Sequence, residues 1–161
     1  MDRRQEILVS ATKSFTLFGY KATTIEQVAK IANVGKGTIY TFFKNKEELF
    51  DEIISSLIKD MRAEAELAID HTSTFDENIS HVLFRLLEFR KSHQLTIKLF
   101  QEEREIGTQA VVEVVQRVEQ AIVNYMKEII QEAIDRGEIK ECNPEITAFV
   151  MLKMYVSLIF D

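Results

Sequence analysis

Proline occurs once in these 161 residues, at position 144, and the five glycines are widely scattered. A proline inside a helix removes a backbone donor and clashes with the preceding turn, so a nearly proline-free chain places no such break in long helices. Apolar side chains recur at three- and four-residue spacing along most of the sequence, the period of a helix with one buried face. Nearly half the residues are hydrophobic, 46%, which is enough to fill a real core at this length. The expectation is an all-α fold.

Residues 23–48, TTIEQVAKIANVGKGTIYTFFKNKEE, carry the densest local signals. Thr24 followed three residues later by Gln27 forms a capping box, and Ile25, Val28, Ala29 and Ala32 then fall on one face of a short helix. Asn33 suits the left-handed residue that ends a helix, Val34 can anchor the turn, and Gly35 serves as a permissive N-cap. The next helix is expected over residues 36–43, with Ile39, Phe42 and Phe43 inward. Gly37, Tyr40, Thr41 and Lys44 form the opposite stripe, and Lys36 and Thr38 stand beside it. A glycine in so short a helix gives up roughly 1 kcal/mol relative to alanine, and close approach to another molecule is one reason for it. Asn45 and Glu48 predict a second capping box, opening a long helix at Lys46. Two helices joined by a sharp turn, the second with an exposed stripe of cations, hydroxyls and glycine, suit a nucleic-acid groove.

At these residues the chain resembles the TetR family of bacterial one-component transcription regulators. The similarity runs through TTIEQVAKIANV, GKGTIYTFF and KNKEEL, and covers about the first third of the chain. Many family members carry Ser or Thr where this chain has Gly35. A first helix over residues 2–18 also fits, with Ile7, Ala11, Phe15 and Phe18 inward and Gly19-Tyr20 ending it. The resemblance implies a three-helix helix-turn-helix domain over residues 1–46, its motif about 24–43, followed by a larger helical effector-binding and dimerisation domain over 47–161. It implies double-stranded operator DNA as partner. Thr24, Tyr40, Lys44 and Lys46 are expected on phosphates, and Lys36, Gly37, Thr38 and Thr41 nearest the bases.

Charge supports the same polarity. Residues 1–50 hold eight Lys or Arg and five Asp or Glu, a balance of +3, whereas residues 51–161 hold twelve and twenty-one, a balance of −9, which together give the net −6. Phosphate binding needs a local basic surface, and an acidic remainder orients the basic end toward DNA.

Five further helices are expected, over residues 46–69, 75–91, 94–103, 108–136 and from 144 onward. Val111, Val114 or Val115, Val118, Ile122, Tyr125, Ile129 and Ala133 predict the buried stripe of the long one, which Gly137 closes. Asn143 and Pro144 fit the N-cap and N1 positions of the last, apolar on nearly every side over residues 146–160. The resemblance implies that this surface builds a homodimer, and that more helix lies beyond Asp161, so the C-terminal domain is expected to be incomplete. It also implies an effector cavity. Met61, Phe84, Phe89, Phe100, Tyr125, Phe149, Met154 and Tyr155 are candidate lining, although for any one of them ordinary core is the preferred reading. No cluster of convergent polar groups stands out, which favours a small apolar or amphipathic effector of unknown identity.

Other chemistries find no support. His71, His81 and His93 are too far apart in sequence for a helical ligand pair, and Cys142 is the only cysteine, so neither a metal site nor an internal disulfide is expected. Glu102, Glu103 and Glu105 read as a solvated helix end. No catalytic arrangement or phosphate-binding glycine loop is visible, so no enzyme and no cofactor are expected. The N-terminus alternates charged and apolar residues unlike a signal peptide, and Lys153 interrupts the longest apolar run, which argues against a membrane location and for a cytoplasmic, nucleoid-associated bacterial protein. The leading expectation is a ligand-responsive repressor on a pseudo-palindromic operator. Two other classes fit the same residues: a DNA-bound structural or cell-division factor with this head, and a helical small-molecule carrier whose head is vestigial.

Overall fold

A computed structural model describes the backbone of residues 2–160 and the side chains of residues 2–157. Eight helices succeed one another: α1 (Arg3–Ala22), α2 (Ile25–Ile31), α3 (Lys36–Tyr40), α4 (Lys46–Leu67), α5 (Phe75–Ser92), α6 (Leu95–Glu105), α7 (Gln109–Asp135) and α8 (Pro144–Phe160). No strand occurs among the described residues. The all-α expectation holds. The apolar end at 158–160, and with it the expected continuation beyond Asp161, lies outside the described side chains.

Backbone contacts divide the chain into two compact units, residues 1–59 with 90–115, and residues 60–89 with 116–161. The unit that holds the helix-turn-helix is therefore drawn from two separate stretches of chain. Its core is formed by Ile7, Ala11, Phe15, Val28, Ile39, Phe43, Leu49 and Ile54, all essentially solvent-free. Phe15, Tyr20 and Phe50 add an aromatic cluster, with ring centroids 4.9 Å apart for Phe15 and Phe50 and 4.6 Å for Tyr20 and Phe50. In the second unit Val123, Met126 and Ile130 of α7 pack with Ala148 and Leu152 of α8. Asn78 ties the turn ahead of α5, accepting from the Asp70 N–H at 2.7 Å and donating to the Asp70 carbonyl at 2.9 Å.

Four local expectations need correction. Phe18 is 49% exposed, because Gly19 (φ 82°, ψ 171°) breaks α1 one residue later and the helical stripe through Ile7, Ala11 and Phe15 continues at Gly19. α1 resumes after this kink and runs to Ala22. α3 ends at Tyr40, three residues early. The Phe42 and Phe43 amides both turn back to the Ile39 carbonyl, which keeps Phe43 buried and leaves Phe42 exposed. In α7 Val111, Val114, Val115, Val118 and Ala133 are buried as expected, but between them the buried stripe runs through Val123, Met126 and Ile130, while Ile122, Tyr125 and Ile129 are only half-buried. Two apolar columns lie side by side on this helix, and α8 covers the one displaced by a single residue. Finally, Glu102 is no solvated helix end. It is buried on the same stripe as Leu95 and Leu99.

Candidate nucleic-acid interface

Helix α2 is fixed at both ends by hydrogen bonds that the local sequence dictates. Thr24 Oγ1 accepts from the Gln27 N–H at 3.2 Å, and Gln27 Oε1 accepts from the Thr24 N–H at 2.8 Å, completing the capping box. Ala32 caps the other end, Asn33 takes φ 52°, and two bonds close the helix: Val34 N–H to the Ala29 carbonyl at 3.0 Å and Asn33 N–H to the Lys30 carbonyl at 3.3 Å. This is the Schellman arrangement, with asparagine in the place glycine usually takes. Gly35 then caps α3 in an extended conformation, its carbonyl accepting from the Thr38 N–H at 2.9 Å. The recognition pair is thus rigid although α3 has only one turn.

Around it, Thr24, Lys36, Gly37, Tyr40, Thr41 and Lys44 are exposed, and Thr38 and Lys46 are partly covered. A side chain built at Gly37 would meet nothing within 4 Å, and Gly37 is not among the positive-φ glycines. Nothing inside the protein therefore requires glycine there. The Thr24 hydroxyl accepts one internal bond, from the Gln27 N–H, and its proton is drawn toward the neighbouring Glu26 carboxylate, whose pKa it helps to lower. Thr41 Oγ1 instead donates to the Thr38 carbonyl at 2.7 Å, so toward an outside group it can only accept, as from a base amino group.

The cations differ among themselves. Lys36 is paired with Glu26 and its Nζ lies 5.8 Å from the centre of the Tyr40 ring. The hydrogen bond between the pair raises the Lys36 pKa and lowers that of Glu26. Lys44 is exposed, and its backbone N–H donates to Glu48 at 2.6 Å, so the second capping box closes on Lys44 and not on Asn45. The other half of that box is as expected, the Glu48 N–H donating to Asn45 Oδ1 at 2.8 Å. Lys46 faces inward. Its Nζ donates to the carbonyls of Tyr20 at 2.9 Å and Thr23 at 3.1 Å and sits 4.1 Å from the centre of the Tyr20 ring, leaving one of its three N–H donors for another acceptor.

Tyr20 is the hub behind this surface, a role that its place at the expected end of the first helix does not reveal. Its hydroxyl donates to Glu47 at 2.7 Å, while burial, and secondarily Glu47, push the phenol well above the usual tyrosine range. The same bond holds the Glu47 carboxyl below its ordinary value.

The candidate effector residues do not converge on one place. Tyr125 lines an open cleft of about 250 Å³ in the second unit with Arg62, Glu66, Phe75, Ile129 and Ala133. Arg62 bridges Glu66 and Glu128 at 2.8 Å each and lies 5.2 Å from the Tyr125 ring centre. Phe149 lines a separate groove with Val123, Ile146 and Leu152. Phe84, Phe149 and Met154 are exposed, Phe89 is buried, and Met61, Phe100 and Tyr155 are partly buried. Ile146, Phe149, Val150 and Met154 lie at helical spacing on α8 and are all about half exposed or more. Cys142 is exposed, and no group of three or more potential metal ligands occurs among the described residues. Nor is any described helix long and apolar enough to cross a membrane.

A rigid two-helix reading element with an exposed polar face, carried on an otherwise helical chain, defines a helix-turn-helix DNA-binding protein. Residues 7–53 match the family described as bacterial regulatory proteins, tetR family, and residues 72–159 match the tetracyclin repressor-like C-terminal domain. The chain is 62% identical over 161 residues to an uncharacterized HTH-type transcriptional regulator, YhgD, of Bacillus subtilis, covering all of this chain and 84% of that one. It is 30% identical over 142 residues to the fatty acid metabolism regulator protein of the same species, covering 84% and 70%. The solved structure of the fatty acid degradation regulator FadR from Bacillus halodurans shares the fold, with a TM-score of 0.80 at 16% identity over 98% of this chain and 82% of that one. The chain belongs to the TetR family of bacterial regulatory proteins and is a DNA-binding transcriptional regulator.

Proposed function

We propose that this regulator is a repressor that binds a pseudo-palindromic operator as a homodimer and is released by a small apolar or amphipathic effector in the bacterial cytoplasm. The observation that carries the reading is the exposed stripe through Gly37, Tyr40, Thr41 and Lys44, where a glycine has open space beyond it and no internal reason to be glycine. Thr24, Tyr40, Lys44 and the remaining donor of Lys46 hold phosphates, and Lys36, Gly37, Thr38 and Thr41 face the bases. Two such heads enter successive major grooves about 34–36 Å apart. The exposed apolar stripe of α8, Ile146, Phe149, Val150 and Met154, supports a dimer through the C-terminal helices. The cleft at Tyr125 supports an effector site in the second unit, and the name of the 30% identical relative agrees with an effector that has an acyl-like body. A coupling of about 1–3 kcal/mol between effector and DNA suffices to change occupancy 5- to 150-fold.

The test is selection and sequencing of genomic fragments retained by the purified protein. A few palindromic sites near promoters, with affinity that falls steeply as salt rises, are expected. Many dispersed sites would favour a structural factor using the same head, and no retained DNA at any salt concentration would leave only a carrier.

A further inference from the structure

Glu102 lies far beyond the helix-turn-helix in sequence, yet its carboxylate is bound to the backbone just ahead of that motif. Oε2 accepts from the Tyr20 N–H at 2.6 Å and Oε1 from the Lys21 N–H at 2.8 Å. These amides lack helical partners because the chain breaks at Gly19, so the short stretch after the kink begins with orphan donors, as any helix does. A side chain normally caps such donors from the preceding residue. Here a carboxylate from α6 caps them instead.

Several independent features fit this role. Glu102 is only 4% exposed, an expensive place for a carboxylate unless both oxygens are hydrogen-bonded. Gly19 has φ 82°, and a Cβ there would collide with Glu102 Oε2, so the glycine serves both the kink and the docked carboxylate. Tyr20 is gripped at three points: its N–H by Glu102, its carbonyl by Lys46 and its hydroxyl by Glu47. Three residues on, Thr23 Oγ1 pairs with Ser14 Oγ at 3.2 Å and the Thr23 carbonyl takes the second Lys46 bond. Thr24, which caps α2, is the next residue.

We propose that Glu102 is a positioning residue for DNA recognition: by capping the broken end of α1 it fixes the junction from which α2 and α3 are hung, which makes α6 a working part of the head. The proposal rests on the DNA-reading function above. Glu102→Gln is the informative change, because an amide offers one acceptor and one donor where the carboxylate offers two acceptors, so one of the two backbone N–H groups must face another donor.

The test measures hydrogen exchange by mass spectrometry and DNA binding on the full chain. In Glu102→Gln, exchange over residues 20–31 and 36–43 is expected to accelerate at least about 10-fold, the loss of one charge-assisted bond, with residues 144–157 unchanged. Binding to the fragment that wild-type protein enriches from a random 30-base-pair library is expected to weaken by about the same factor, at a temperature where circular dichroism shows the variant folded. The slope of affinity against salt should not move, since Glu102 touches no phosphate. Glu105→Gln, a neighbouring exposed carboxylate, should behave as wild type in both assays. Should Glu102→Gln fail to fold, Glu102→Asp, which keeps both acceptors but retracts them by one methylene, is expected to loosen the same segments. Unchanged exchange over residues 36–43 in a folded variant, or faster exchange with unchanged DNA affinity, would overturn the proposal. Wild-type protein that enriches no sequence would instead defeat the DNA-reading function, while the exchange arm still decides whether Glu102 holds the junction.

Discussion

Replacing Gly37 by alanine should move stability and DNA affinity in opposite directions. A Cβ at this position has no neighbour within 4 Å and the backbone is not in the left-handed region, so the folded protein admits it without strain. Alanine is favoured over glycine by about 1 kcal/mol in a helix interior. Gly37 is the second residue of a five-residue helix, where about half of that is realistic. At about 2–4 °C per kcal/mol for a chain of this size, the melting temperature should rise by about 1–2 °C. In the proposed DNA complex the same methyl would meet the surface that the glycine allows close. Extra carbon in a packed contact costs about 1–3 kcal/mol, and the proposed dimer carries two heads, so its operator complex should lose at least about 2 kcal/mol, roughly 30-fold in Kd. Thermal denaturation and fluorescence anisotropy at one fixed salt concentration measure the two effects. A variant that melts lower would show that the space outside Gly37 is not free, and one that binds the operator as tightly as wild type would remove close approach as the reason for glycine.

The hub and the turn allow further tests. Tyr20 has a raised pKa in the folded state, so its contribution to stability is complete below the unfolded value near 10 and is lost as pH rises above it. In urea titrations Tyr20→Phe should therefore cost stability at pH 7 but flatten the decline that wild type shows above pH 10; an equally steep decline would mean another group is responsible. Asn33→Val forces a β-branched residue into φ 52° and should destabilise by about 1–2 kcal/mol, whereas Asn33→Gly should be near neutral, both read from denaturation midpoints. Glu26 pairs with Lys36 on the proposed DNA-facing side, so Glu26→Gln should strengthen binding to random-sequence duplex and steepen its salt dependence by about one counterion per head. An unchanged slope would place Lys36 away from the phosphates in non-specific complexes.

Features that a few neighbouring residues decide were legible in the sequence. Thr24 with Gln27, Asn33, Gly35, Gly137 and the Asn143-Pro144 pair each act on the backbone within four residues, and each does in the structure what its chemistry predicts. The errors arise where a distant helix chooses. Which of two adjacent apolar columns on α7 is buried depends on α8, and no property of residues 122–130 alone distinguishes them. A stripe extended straight through Gly19 puts Phe18 inward, but the φ of 82° at that glycine answers to a carboxylate on α6. A clue to that carboxylate is nevertheless present: Leu95, Leu99 and Glu102 share one face at i, i+4 and i+7, which puts a charge on an apolar stripe. The proposed DNA face is legible in its membership, but the internal pairing of Lys36 and Lys46 is not, since their partners lie 10 and more residues away.

The discontinuous make-up of the first unit bears on how such regulators can be recombined. Exchanging heads between relatives to rewire a sensor invites a single crossover near residue 46, where the helix-turn-helix signature ends. That cut would transfer the kinked end of α1 without the α6 carboxylate that caps it, leaving two amides to whatever side chain the recipient places there. Gly19 and Glu102 should therefore travel as one unit of inheritance. A chimera that carries residues 90–115 along with the head should retain the donor's operator preference, while one built from the first 46 residues alone should not.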